Sequence, residues 1–469
     1  MINRDNFRAE ADKVLDWIDG YFGKLRELPV KSFVKPGDIY DKIPSEAPLQ
    51  GDDDMDSVLK DMDSVILPGV THWQHPSFHA YFPANSSYES LLGEMITAAI
   101  GAQCMVWETS PAAAELEQRM CEWVAAAVGL PNSFTGVIQD SASSATLVAI
   151  ITAREKATQF KSNLDGVPRG LRVYCSSEAH SSIEKGVGVA GIGRNNLVRI
   201  ETDDEQRMIP EKLEKAICDD ISAGLIPVCV VAAIGTTGTV AVDPLSEIAA
   251  ICLKHKVWLH VDAAFAGTAL VLPEYRSIVK GIEHVDSLVF NPHKWMFVNF
   301  DCSLYYVKDP ETLVRTFDIL PEYLKTSTRG QVNDYRDWGI PLGRRFRALK
   351  LWFVLRGFGL EGIRKRIREQ IALNEYFAET ISQSGQFVVL RKPFLGFTLF
   401  RVNDEDDSLT EKLLAAVNAS GKAYLSHTKV NGRYAIRFHS TQTYIQKEDI
   451  DKTIDTLKNH FNRLISCQS

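Results

Sequence analysis

The chain has 469 residues, a formal net charge of -8 and 45% hydrophobic residues, the balance of a folded protein of two or three domains rather than of a disordered, collagenous or membrane chain. The acidic balance, with no basic block and no RNA-binding motif, argues against nucleic acid as the main partner and leaves small molecules. No apolar stretch reaches the roughly 18 residues that span a bilayer, and MINRDNFRAEADKV carries acids where a signal peptide has its apolar core, so a cytoplasmic location is expected.

The first predicted element is a helix, because Phe7, Val14, Ile18, Phe22 and Leu25 recur near helical spacing before Pro29. SFVKPGDIYDKIPSEAPLQGDDDMDS follows, rich in Pro, Asp and Ser, and reads as an extended connection. One helix and an arm have little core of their own, so residues 1–87 are expected to pack on something else, such as a second subunit. Within this arm, THWQHPSFHAYF brings His72, His75 and His79 together. Pro76 breaks any helix that would align them and no acid lies nearby, so no metal site is expected.

A long helical stretch is predicted from about residue 88 to Val128. After it, apolar runs alternate with helix-length segments: LRVYC at 171–175, PVCVVAAIG at 227–235 and VWLHVDAA at 257–264, separated by stretches such as PLSEIAAICLKH. Short buried strands separated by single helices make an α/β sheet with helices on both faces, and polar residues at its strand ends face a ligand crevice. Asp262 of HVDAAFAG and Lys294 of NPHKW would fall there. This large domain is expected over 88–360. Beyond the helical RRFRALKLWFVLRGFG come strand-like FVVLRKPFLGFTLFRV (387–402) and YAIRFHS (434–440). A last helix has Ile450, Ile454, Leu457, Phe461 and Leu464 on one face, so 361–469 reads as a small α+β domain. The cysteines at 104, 121, 175, 218, 229, 252, 302 and 467 form no CxxC pair and read as buried, reduced thiols.

A lone acid or lysine at a strand end is ordinarily a solvated charge; the two together invite a chemical account. A lysine amine is nucleophilic only when neutral, and Trp295, Met296 and Phe297 around Lys294 suit a lowered pKa and a Schiff base with an aldehyde. Pyridoxal phosphate brings such an aldehyde, a pyridine nitrogen that a buried carboxylate such as Asp262 would keep protonated, and a phosphate that needs donors. GVIQDSASSATLVA leads Ser141, Ala142 and Ser143 into a helical run, so amides and hydroxyls would converge at a helix N-terminus. A second hydroxyl-rich turn, GTTGT at 235–239, follows a strand. His180, in EAHSSIEKG, could stack on the pyridine face. Each signal is weak alone; together they match different parts of one cofactor.

The chain resembles the pyridoxal-phosphate-dependent decarboxylases of the aromatic-L-amino-acid decarboxylase family, the group II decarboxylases. The resemblance rests on GVTHWQHPSFHAYFPANSSY, SPAAAELE, GVIQDSASSATLVA, AHSSIEKG, GTTGT, WLHVDAAFAG, FNPHKW, EYLKTST and IPLGRRFRALKLW, in the family's order across residues 69–360. It implies a type I pyridoxal-phosphate fold, aspartate aminotransferase-like, working as a homodimer with the N-terminal arm over the partner. By motif match Lys294 would hold the cofactor as internal aldimine, Asp262 would pair with the pyridine nitrogen, and Ala264 and His180 would take the two ring faces. Ala142, Ser143, Asn291 and His293 would contact the phosphate, with Thr237 near the ring.

The resemblance also implies a reaction. Substrate amine would displace Lys294, carbon dioxide would leave, and a loop tyrosine, matched by Tyr323 in ILPEYLKTST, would contribute to protonating the α-carbon. The polar KTSTRGQVNDYRDW, with Gly330, reads as a lid. Family members that convert amino acids to aldehydes with oxygen tend to replace the histidine or the tyrosine; both are present here, which favours the amine. Trp73, Tyr81, Phe82 and Pro83 match the family's aromatic substrate wall. Ala84 and the Gln103–Met105 stretch depart from the animal dopa decarboxylases, and Gly343 leaves room for a large ring, so tryptophan, tyrosine, phenylalanine and dopa all stay open. An aldehyde synthase or a decarboxylase for another amino acid such as histidine is the alternative. A non-catalytic homologue is disfavoured by the intact lysine.

Overall fold

A computed structural model describes residues 5–51, 54–319, 328 and 330–466. Seven strands form the larger sheet: β1 (Thr135–Gln139), β2 (Leu171–Ser176), β3 (Leu197–Ile200), β4 (Ile226–Ala233), β5 (Trp258–Asp262), β6 (Ser287–Phe290) and β7 (Ser303–Val307). Their order is β1-β7-β6-β5-β4-β2-β3. Neighbours from β6 to β3 run parallel, and β7 runs antiparallel to both β1 and β6. The parallel strands are apolar on both faces because helices cover both, as the helices Ala142–Ala157 and Leu245–His255 do. Each fully buried Val, Leu, Ile or Phe contributes about 1.5–3 kcal/mol, and Val230, Val231, Leu259, Val261, Leu288 and Val289 lie in this core.

The predicted stretch from 88 to 128 is two helices, Tyr88–Ile100 and Pro111–Val128. Gly101 adopts φ 62° as a left-handed cap whose N–H returns to Thr97 O, and Pro111, which has no N–H to lose, starts the second helix. The strand-like 387–402 is a hairpin, β8 (Phe387–Val389) and β9 (Phe397–Val402), turning through Gly396 at φ 70°. With β10 (Ser426–Val430) and β11 (Arg433–His439) these make an antiparallel sheet in the order β10-β11-β9-β8, backed by helices Asp407–Ala419 and Lys447–Ser466. The 37-residue helix Arg347–Gln383 carries the chain from the large sheet to this one, broken only at Gly359, where φ is 64° and ψ 164°.

Helix Phe7–Lys24 buries only Glu10 and leaves Phe7 and Leu15 exposed. The following arm docks on the small sheet of its own chain. Val30, Phe78 and Ala80 pack with Tyr424, Val30 N–H donates to Gly421 O, and His79 N–H donates to Tyr424 O. The three histidines of the arm have ordinary partners. His72 Nδ1 lies 3.0 Å from the Tyr21 hydroxyl, His75 Nδ1 accepts from Ser77 N–H at 2.9 Å, and His79 bridges His439 O and Thr453 Oγ1. Among the described cysteines one departs from expectation: Cys218 is exposed, because it lies on the outer side of helix Pro210–Ser222, while Cys467 lies outside the described residues. Among the described residues every cysteine is a free thiol.

Candidate active site

The registers of the central strands bring Ala233, Asp262 and Val289 side by side at the carboxyl ends of β4, β5 and β6. There the chain leaves the sheet and its polar groups turn to a crevice. Asp262 closes β5, and its Oδ1 accepts from Ala264 N–H at 3.0 Å, which fixes the carboxylate toward the crevice. Lys294 follows β6 on the single helical turn Pro292–Trp295. Both line one cavity of about 140 Å³.

The cavity unites most of the expected residues. Ala142, Ser143, His180, Thr237, Asp262, Ala264, Asn291, Lys294 and Phe82 all line it. Ser141 caps helix Ala142–Ala157 by accepting from Ser144 N–H at 3.1 Å, so the first free amides of that helix, and its positive end, open into the cavity beside the Ser143 hydroxyl. Asn291 is oriented from behind by Ser303 Oγ, which donates to its Oδ1 at 2.8 Å. The turn after β4 is tied internally: Thr236 Oγ1 lies 3.1 Å from Thr239 Oγ1 and accepts from Ala241 N–H. Beneath the turn the buried Asp243 accepts from Ala233 and Met208 N–H groups, and burial pushes its carboxyl up to about 6.

Lys294 is the electrostatic focus. Desolvation lowers its proton affinity, Asp262 opposes that, and Arg437 adds to it. The desolvation comes from stacked rings: Phe82 on Phe265 at 4.0 Å, Phe265 on Trp295 at 4.8 Å, with the Lys294 ammonium 5.7 Å from Phe82. His180 stands at the mouth, open to solvent on one side. Desolvation by the walls lowers its proton affinity, the Asp262 charge works against this and Lys294 with it. Ser182 fixes the ring, its N–H donating to His180 Nδ1 at 3.1 Å with its hydroxyl at 2.8 Å.

Other expected residues lie elsewhere. His293 does not line the cavity; it is buried, and its Nδ1 accepts from Cys302 N–H at 2.9 Å. Trp73 and Tyr81 stack on each other at 5.8 Å, 38% and 49% exposed, outside the cavity, and Pro83 is buried away from it. Tyr323 is outside the described residues. Sequence reasoning did not single out Ser182, Thr236, Phe265 or Arg437. Ser182 and Phe265 sat inside quoted motifs, two positions from His180 and three from Asp262; Arg437 carried no local signal.

A carboxylate, a buried amine of lowered proton affinity and a helix N-terminus on one small cavity fit a ring nitrogen, an aldehyde and a phosphate. The pyridoxal-dependent decarboxylase conserved domain matches residues 36–403. The chain belongs to that family. Tyrosine decarboxylase 2 of Narcissus pseudonarcissus is 41% identical over 96% of this chain and 92% of its own length. Phenylacetaldehyde synthase of Arabidopsis thaliana is 42% identical over 93% of this chain and 92% of its own. Histidine decarboxylase of Drosophila melanogaster is 40% identical over 95% of this chain, which spans 54% of that longer relative. The crystal structure of Oryza sativa TDC with PLP and tryptamine superposes with a TM-score of 0.95 at 33% identity, covering 99% of both chains.

Proposed function

We propose that this decarboxylase acts on aromatic L-amino acids, releasing carbon dioxide and the arylalkylamine. The observation that carries the reading is the pairing of Lys294 with Asp262 across a cavity walled by Phe82 and Phe265. Pyridoxal phosphate supplies an aldehyde for the amine and a ring that takes up the electrons left when a carboxylate departs. Lys294 would hold the aldehyde, and the Asp262 carboxylate would keep a proton on the ring nitrogen. Ala142 and Ser143 would bind phosphate at the helix N-terminus with Asn291, Ala264 and His180 would flank the ring, and Thr237 would lie beside it. Tyr323 would deliver the proton to the α-carbon.

The substrate wall is Phe82 inside the cavity, extended outward by the stacked rings of Trp73 and Tyr81. Its two exposed rings call for further cover, which a second copy of the chain would supply. A homodimer is supported by the apolar side of helix Tyr88–Ile100, where Leu92, Met95, Ile96 and Ile100 are exposed, and by an arm helix that buries only Glu10. Free thiols throughout the described residues suit the reducing cytoplasm, and no helix among those residues is long and apolar enough to cross a membrane.

The test is product analysis of the cofactor-loaded protein with tryptophan, tyrosine, phenylalanine, dopa, histidine and glutamate, recording amine, carbon dioxide and peroxide together. Amine and carbon dioxide from an aromatic substrate without peroxide are expected. Peroxide with aldehyde would instead make the chain an aldehyde synthase, and turnover of histidine alone would overturn the aromatic reading. Tyr323→Phe is expected to keep cofactor binding and shift products toward aldehyde; unchanged amine output would remove the tyrosine from the reaction.

A further inference from the structure

Arg437 belongs to β11 of the small sheet, yet its side chain ends among the walls of the active site. It is 4% exposed. Its guanidinium donates from Nη2 to Thr237 O at 2.8 Å and Tyr81 O at 3.0 Å, from Nε to Gly238 O at 3.2 Å, and from Nη1 to Ser426 Oγ at 2.6 Å. All of these acceptors are neutral. The planar group also lies 5.2 Å from the ring centres of both Phe82 and Phe397. Phe82 is the same ring that Lys294 faces at 5.7 Å.

A buried cation with no carboxylate partner among the described residues is costly to keep, and its burial pushes even this guanidinium down to about 10. What the arrangement gains is a single rigid fork that reaches three stretches of chain: the substrate wall at Tyr81, the catalytic turn at Thr237 and Gly238, and the small sheet at Ser426. Ser426 Oγ completes the clip by accepting from Tyr81 N–H at 3.0 Å. A lysine would bring the charge but not the fork.

We propose that Arg437 is a positioning residue for the reaction, clipping the substrate wall and the catalytic turn to the small domain around Lys294 and setting its positive charge against that lysine. The proposal rests on the function proposed above. Among the described residues, the charged and titratable groups that act on Lys294 are Asp262 from β5, His180 from the segment before helix Ser182–Val189, His293 from the same helical turn and Arg437 from β11. Asp262 holds a proton on the lysine nitrogen and Arg437 drives it off.

Two substitutions separate fork from charge. Arg437→Lys keeps the charge; Arg437→Gln removes it. In both, kcat for the aromatic substrate is expected to fall about tenfold to a hundredfold, with KM changed far less, because the catalytic turn is displaced. The visible absorption of the cofactor-loaded protein, titrated against pH without substrate, gives the second readout. Its midpoint is expected to rise by about half a unit in Arg437→Gln and to stay in place in Arg437→Lys. Wild-type kcat in Arg437→Lys, or an unmoved midpoint in Arg437→Gln, overturns the proposal. Ser426→Ala, a gentler change that loosens the clip, is expected to lower kcat several-fold with the midpoint unchanged; if both arginine variants fail to fold, an unaltered kcat in Ser426→Ala overturns it. Absence of turnover in the wild type would sink the functional reading alone, since the midpoint is read without substrate.

Discussion

Glu117 and Arg344 meet fork to fork in the interior, with Arg344 Nη1 3.1 Å from Glu117 Oε2 and Nη2 2.6 Å from Oε1. The pair also holds β1, since Glu117 Oε1 accepts from Ile138 N–H and Arg344 Nη2 donates to Ile138 O. It thus fastens the segment that carries Arg344 to the strand that leads into the Ser141 turn. Glu117→Ala leaves a guanidinium buried without its partner and is expected to cost about 3–5 kcal/mol. Urea unfolding measures it; a loss below about 1 kcal/mol would show that the pair is dispensable.

Lys294→Ala is expected to abolish the visible absorption band of the purified protein while the fold survives, because the side chain ends in a cavity and not in the packed core. A band that persists and is reduced by borohydride would place the attachment on another lysine.

Gly235 opens the turn after β4 at φ 85°, and a Cβ there would stand 2.8 Å from the Cβ of Ala266. Gly235→Ala combines a left-handed backbone with that clash and is expected to cost about 1–3 kcal/mol. Weaker cofactor binding should accompany it, read by equilibrium dialysis, because Thr236 and Thr237 move with the turn. Unchanged affinity would separate the turn from the cofactor.

Burial lowers the proton affinity of His72, takes His75 and His79 to about 4, and drops His439 well below its ordinary range. The unfolded chain therefore binds protons at these imidazoles before the folded one does. Their contribution to stability is full above the unfolded value near 6.5 and is lost as pH falls toward 4. Asp243, pushed up to about 6, works in the opposite sense over part of that window. The melting temperature is expected to fall between pH 6.5 and 4, with a shallower slope in His79→Gln. An equal slope in that variant would remove His79 from the acid response.

The parts of the site that were legible in the sequence are those whose chemistry is local. Asp262 ends an apolar strand, Lys294 sits on the turn just after one, and Ser141 to Ser143 open a helix, so type and position could be read together. The family motifs supplied Asn291, which nothing in its own neighbourhood distinguished, and picked Thr237 out of the hydroxyl-rich GTTGT turn. Arg437 was illegible because its partners stand roughly 200 and 356 positions away, and a strand arginine is ordinarily a surface charge. The break at Gly101 was missed for a different reason: helical apolar spacing continues on both sides of it, and only the left-handed φ shows where the first helix stops.

The long helix from Arg347 to Gln383 has one residue, Gly359, in a backbone conformation that only glycine adopts readily. The direction in which the longest helix leaves the large sheet is therefore set at one residue, and with it the placement of the small sheet, of β11 and of the guanidinium it carries. A side chain at position 359 would have to adopt this strained backbone, so a substitution far from the cavity would be felt in where Arg437 sits.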